Sequence, residues 1–274
     1  MLAKRVATAL VLLALFLPAI FLAPPWVWGA LSLAVLAAAG REWGRLLGSE
    51  RGGWALGGAL VVAGIAYLAW RGAVPAAGAP PLAAGFAVAS LAFWVTAGPL
   101  ALARVRRVGP PWAVAALALG ACWIALYELR VAGAVMLVSC MAIVWLADVG
   151  AYFAGRGFGR RKLAPRVSPG KTWEGVAGGV ALVLATAALV PPLWREQVFS
   201  GWMVERGGWV ATAVVLVAMV ALSVVGDLHE SLLKRLAGAK DSGGLLPGHG
   251  GVLDRIDALI PTMPGCLLLL QVLR

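Results

Sequence analysis

The chain carries little charge, and very little of it is negative. Only 13% of its 274 residues are charged, and 12 acidic side chains stand against 23 basic ones, a formal net charge of +11. Soluble domains carry about 25% charged residues, so this chain lacks the polar surface of one. Histidine occurs twice and cysteine three times. Cys122, Cys140 and Cys266 lie inside apolar runs without CxxC spacing, which argues against thiolate metal sites and disulfides and leaves them to packing. A GxxxxGK[ST] phosphate loop is absent. What is abundant is apolar: 62% of residues are hydrophobic, and the mean hydropathy is +0.91. The expected class is an all-α, polytopic membrane helix bundle. The basic residues sit in short loops between apolar runs, which fits membrane topology and anionic headgroups and argues against a nucleic-acid partner.

Apolar segments recur near 6–23, 26–40, 54–70, 82–103, 111–127, 131–153, 173–193, 209–226 and 258–273. About 20 helical residues cross a hydrocarbon core, so nine transmembrane helices are predicted. The first follows Lys4 and Arg5 and reads as a retained span, because it is longer than a signal-peptide core. With the N-terminus in the cytoplasm, the cytoplasmic side collects the cations at 4–5, 41–51, 104–107, 156–171 and 234–255. The opposite side keeps Arg71, Arg130, Arg195, Arg206 and Arg274. Such asymmetry is expected of an N-in, C-out topology. Pro24–Pro25, Pro80–Pro81 and Pro110–Pro111 mark turns between spans. No internal repeat is visible. The whole of 1–274 reads as a single integral-membrane domain, with N-terminal helices to residue 110 and the polar chemistry in 111–274.

That chemistry gathers in two loops predicted on the cytoplasmic side, 154–172 and 227–257. Asp148 closes an apolar run ahead of the first. A carboxylate at the membrane centre costs about 2.5–3.5 kcal/mol on insertion scales, so either it has a function or it lies at the interface and pairs with an arginine. Ser168, Lys171 and Thr172, among glycines, suit phosphate oxygens; the competing reading is a basic loop that attracts anionic lipid. In the second loop, Asp227, Glu230, Ser231 and Lys234 fall at i, i+3, i+4 and i+7 and share one helix face. Asp254 and Asp257 lie beyond a glycine-rich turn. If the chain returns through that turn, Asp227 and Asp254 can hold one divalent ion while Lys234, Arg235, Lys240 and Arg255 meet phosphates. The alternative is a solvated amphipathic helix with internal ion pairs. His249 either contacts a phosphate or orders the loop.

The run Ser231-x-Leu233-Lys234-Arg235, Lys240-Asp241, Pro247, His249-Gly250-Gly251 and Asp254-Arg255-Ile256-Asp257 resembles the C-terminal motif of phosphatidate cytidylyltransferases (CDP-diacylglycerol synthases). Asp148 to Gly155 and the stretch LAPRVSPGKTWEG are also similar to the bacterial family, with Val149 standing where the family has a small hydroxyl residue. The resemblance covers roughly the C-terminal half. It implies CTP and phosphatidate as substrates, CDP-diacylglycerol and pyrophosphate as products, Mg²⁺ with a monovalent cation such as K⁺, and a homodimer among membrane lipids. Carried onto this sequence, Asp227, Asp254 and Asp148 are expected at the metal, with Asp257 in support. Lys234 and Arg255 join Asp227, Asp254 and Asp257 as catalytic candidates. Ser168, Lys171, Thr172, Arg235, Lys240, His249, Gly250 and Gly251 are expected at the substrates. High Arg, Ala and Gly suggest a GC-rich bacterial source and hence the cytoplasmic membrane.

Two other classes compete. An ion-coupled transporter would explain Asp148 and Asp227 near spans, but would also call for similar halves and mid-span polar groups. Another lipid-phosphate transferase, of the CDP-alcohol phosphotransferase type, calls for a DGxxAR arrangement that is missing.

Overall fold

The computed structural model describes residues 2–73, 78–246, 248 and 250–273. Helices stand at all nine predicted spans: α1 (Leu2–Phe21), α2 (Pro25–Leu46), α3 (Glu50–Ala73), α4 (Pro81–Ala92) continued by α5 (Gly98–Arg104), α6 (Pro111–Ala132), α7 (Ala134–Phe158), α8 (Trp173–Ala188), α9 (Phe199–Leu236), and α10 (Leu253–Ile256) leading into α11 (Leu259–Val272). Among the described residues, six of these are long and apolar enough on their own to cross a membrane. The chain is therefore an all-α, multi-pass membrane protein. The helices outside that set explain themselves. The apolar part of α1 that is described begins at Leu10, and α2 carries Arg41, Glu42 and Arg45 in its last two turns. At 16 residues, α8 spans only about 24 Å against a core of about 30 Å.

Three of the four Pro-Pro pairs start α2, α4 and α6, with the second proline at the first helical position. There its missing N–H costs nothing and its fixed φ suits the helix. A single turn of π-helix, Phe93–Ala97, joins α4 to α5. Gly208, at φ 72°, kinks α9 and sets a first segment at an angle to the long apolar one. α11 lies at the centre of the bundle, against α4, α6 and α9.

Lipid tails supply no hydrophobic drive between helices, so close packing must come from small residues. The α7–α8 pair shows this. A Cβ on Gly150 would come within 2.5 Å of the Gly178 carbonyl oxygen and 2.9 Å of Gly179 Cα. Gly44 of α2 is likewise closed in by the Gly53 backbone of α3. Away from the polar loops, α3 and α6 are tied by a buried pair. Arg71 Nε and Nη2 donate to the two oxygens of Glu128 at 2.9 Å each, and Tyr67 Oη donates to Glu128 Oε1 at 2.8 Å. This bidentate arrangement satisfies both carboxylate oxygens, and it serves as a fastening between helices.

One predicted loop has more structure than its composition showed. Within 154–172, α7 runs on to Phe158, and Lys162–Ala164 (β1) then pairs antiparallel with Ser168–Thr172 (β2). Gly150→Val should force α7 and α8 apart, at a cost of about 1–3 kcal/mol typical of overpacking. The expected readout is a lower thermal midpoint of purified protein in detergent; an unchanged midpoint would show that the glycine contact does not limit packing.

Candidate active site

The hairpin, the C-terminal halves of α7 and α9, the loop after α9, and the end of α2 meet at one end of the bundle. Local sequence explains the joints. Thr172 is the N-cap of α8, its Oγ1 accepting the Gly175 N–H at 3.1 Å. Glu174 accepts the N–H groups of Arg160 and Arg161 at 3.1–3.2 Å, pinning the hairpin to the start of α8. Arg235 Nε donates to the Val167 carbonyl at 3.3 Å and joins α9 to the hairpin turn. Thr172, read from sequence as a phosphate contact, caps α8 with its hydroxyl oxygen and also lines a cavity beside Lys171, and Ser168 lies at the β1–β2 register opposite Ala164.

A cavity of about 240 Å³ opens between α7, β2, α8 and α9. Asp148, Tyr152, Lys171, Ser223 and Asp227 line it, with Gly155, Gly170, Gly175 and Gly179 leaving room. Lys171 Nζ lies 2.7 Å from Asp227 Oδ2. Asp148, from the neighbouring helix, faces both. The two aspartates that close the sixth and eighth apolar runs therefore share one cavity.

The helix over 227–234 carries its polar residues on one face, as the spacing predicts. Ser231 Oγ donates to Asp227 Oδ1 at 3.4 Å, and Lys234 Nζ pairs with Glu230 Oε2, four residues earlier, at 2.5 Å. Lys234 also donates to Asp254 Oδ1 at 2.7 Å, so it bridges α9 and α10. The remaining oxygen of Asp254 takes the Ser242 N–H at 3.1 Å, the Ser242 hydroxyl at 2.9 Å and the Gly251 N–H at 2.8 Å. Asp254 thus organises the returning loop. Gly226 lies directly under the Asp257 carbonyl and Pro261, which brings Asp257 within electrostatic reach of Asp227, Lys171 and Lys234.

Asp227 and Asp254 are at the same end of the bundle but hold different lysines. Among the described residues, no three His, Cys, Asp or Glu side chains form a cation cage by themselves. Acidic side chains nevertheless outnumber lysines here. Asp148 faces Asp227, Asp257 faces Asp227, and Glu230 faces Asp254 and Asp257, and the ion pairs resolved for these carboxylates come from Lys171 and Lys234. Glu230 is 4% exposed, and among the described residues its Oε1 accepts no hydrogen bond. Carboxylate oxygens of this kind are the ligand type that a hard divalent cation takes. His229, on the same helix but turned away from this face, is unsuited to ligation, because it is buried among Trp43, Phe93 and Trp94.

Arg235, Lys240 and Arg255 are exposed around this end. Gly250, at φ 83°, turns the chain so that Leu246 and Gly250 pair across the loop. Pro247 and His249 lie outside the described residues. Sequence reasoning missed Glu42 and Arg45 of α2. Glu42 is buried and bonded to Ser242 and the Leu253 N–H, and Arg45 donates to the carbonyls of Asp241 and Ser242. The available signal was a carboxylate closing an apolar run, as at Asp148.

A multi-pass bundle with a lysine–carboxylate cluster and a cavity of about 240 Å³ at one end defines an integral-membrane protein with a polar site at that end. Comparison with known proteins narrows the class. The sequence pattern of the Cytidylyltransferase family matches residues 3–273. A phosphatidate cytidylyltransferase of Pseudomonas aeruginosa is 39% identical over 96% of this chain and 95% of its own length. One from Brucella suis is 38% identical over 86% and 82%, and one from Bacillus subtilis is 35% identical over 55% and 54%. The chain belongs to the cytidylyltransferase family.

Removing the cation that joins α9 to α10 should be costly, because it leaves Glu230 and Asp254 facing each other. For Lys234→Ala a loss of about 3–5 kcal/mol is expected, as for a broken buried ion pair. The thermal midpoint should fall, and Glu230→Gln combined with Lys234→Met should recover part of it. A midpoint equal to that of the parent protein would show that the bridge does not hold the two helices.

Proposed function

We propose that this protein transfers the cytidylyl group of CTP to phosphatidate, giving CDP-diacylglycerol and pyrophosphate for phospholipid synthesis. The observation that carries the reading is the pairing of Lys171 with Asp227 and of Lys234 with Asp254 at one end of a membrane bundle, in a chain related along its length to phosphatidate cytidylyltransferases. In the reaction an oxygen of the phosphatidate phosphate attacks the α-phosphorus of CTP. The new P–O bond forms as the bond from the α-phosphorus to the bridging oxygen breaks, and that oxygen leaves with pyrophosphate.

A phosphate monoester is anionic near neutral pH, so no strong base is needed to make the nucleophile. The difficulty is bringing two polyanions together, and the chain's contribution is positioning and charge. Lys171, on β2 beside the cavity, and Lys234, between α9 and α10, supply fixed positive charge. Arg235, Lys240 and Arg255 add a cationic rim for the triphosphate and the lipid phosphate. Mg²⁺ would be held by Asp227 and Asp254 with Asp148 and Asp257 in support, and would supply electrostatic neutralisation of phosphate oxygens; K⁺ is the candidate for a second cation. We read this end as the cytoplasmic face of a bacterial inner membrane, because the positive-inside rule gathers the basic loops there and CTP is a cytoplasmic substrate.

Purified protein should convert labelled phosphatidate with CTP and Mg²⁺ and show little conversion with ATP; failure with CTP under conditions where the protein is folded would end the proposal. Asp254→Asn should reduce Mg²⁺-dependent turnover by on the order of a hundredfold or more, and near-parental turnover would remove Asp254 from the essential set. Arg255→Ala should raise the apparent KM for CTP or phosphatidate, and unchanged values for both would place it outside the site.

A further inference from the structure

Glu42 lies in the N-terminal half, 200 and 211 residues before the two residues it touches in the C-terminal half. It is buried on α2, 1% exposed, with the body of the bundle behind it. Its Oε2 accepts the Leu253 N–H at 2.8 Å and the Ser242 hydroxyl at 3.0 Å. That hydroxyl also lies 2.9 Å from Asp254 Oδ2, so one proton serves two carboxylates. From Asp254 the chain of contacts passes directly to Lys234 at 2.7 Å.

The glycines of the loop record the same constraint. A Cβ on Gly243 would collide with the Glu42 carboxylate, and one on Gly251 would reach within 2.5 Å of Glu42 Oε2 and strike Ser242 Oγ. The geometry shows two of them making room for a buried carboxylate. Arg45, one turn further along α2, fastens the same loop through the carbonyls of Asp241 and Ser242.

We propose that Glu42 is a positioning residue for the reaction: it is the template on which the 241–253 loop folds, and through Ser242 and the Leu253 amide it sets Asp254 and thereby Lys234. The proposal rests on the functional reading above for its catalytic consequence, but not for its structural one. Glu42 acts through its contacts with Ser242 and the Leu253 amide. It supplies an acceptor at one fixed point of a rigid helix, where a flexible glycine loop would otherwise sample many conformations.

The test uses full-length protein in detergent with the Glu42→Ala, Glu42→Gln and Glu42→Ala/Asp254→Asn variants. Glu42→Ala should lower kcat/KM roughly tenfold to a hundredfold, the scale of a small misplacement at a reacting centre, and should raise the KM for CTP, which a smaller folded fraction cannot do. Glu42→Gln keeps an acceptor oxygen and should restore most of the loss. Losses in the double variant should not multiply, because both substitutions act through one contact. Independently of turnover, trypsin should cut after exposed Lys240 faster in Glu42→Ala than in the parent. The proposal fails if Glu42→Ala stays within about twofold of the parent, or if KM is unchanged while kcat falls. It fails equally if the two losses multiply, or if cleavage at Lys240 is unaltered. Absence of parental turnover would instead sink the functional reading, and the cleavage experiment would still decide the role of Glu42 in the loop.

Discussion

Carboxylates crowded at the end of a membrane bundle must be neutralised where they stand, and the local structure follows from that requirement. Asp227, Glu230, Asp254 and Asp257 are brought close by the packing of α9 against the start of α11. Lys171 answers from a hairpin and Lys234 from α9 itself. In a medium poorer than water at screening charge, such pairs are favourable only when geometry and extra hydrogen bonds compensate for lost hydration. Asp254 meets that condition: one oxygen takes an ammonium and the other takes three donors. The loop between α9 and α10 exists in this form because it provides those donors.

The same balance links stability to chemistry. A cluster richer in acid than in cation is poised for positive partners, and a cavity edged by lysine and glycine is suited to phosphate oxygens. Both properties belong to one set of residues. The rest of the bundle places them: glycine contacts bring α7 against α8, Gly208 sets the direction of α9, and the Arg71–Glu128 pair locks α3 to α6 away from the polar end. Family membership then gives these features a common reading, in which positioning and charge carry the transfer.

The helices were legible because their signal is local. Runs of apolar residues with few charges become helices in lipid, where backbone groups must find partners within their own segment, and Pro-Pro pairs announced where several begin. The 227–234 face was legible for the same reason, since spacing along a helix determines which side chains are neighbours. The hairpin at 162–172 was not. Its five-residue second strand is rich in polar and glycine residues and lacks the alternation that marks a half-buried strand. That Thr172 caps α8 as well as lining the cavity could not be read from its place in the loop. Glu42 passed unnoticed because its partners are about two hundred positions away.

The sequence by itself therefore determined the membrane class, the helices, the family and the residue types of the site, because each depends on composition or on neighbours along one chain segment. Tertiary structure alone decided which lysine meets which aspartate, which glycines yield to a carboxylate, and that the N-terminal half reaches into the C-terminal motif. Those are contacts between segments, set by how helices pack in three dimensions, and no spacing along the chain encodes them.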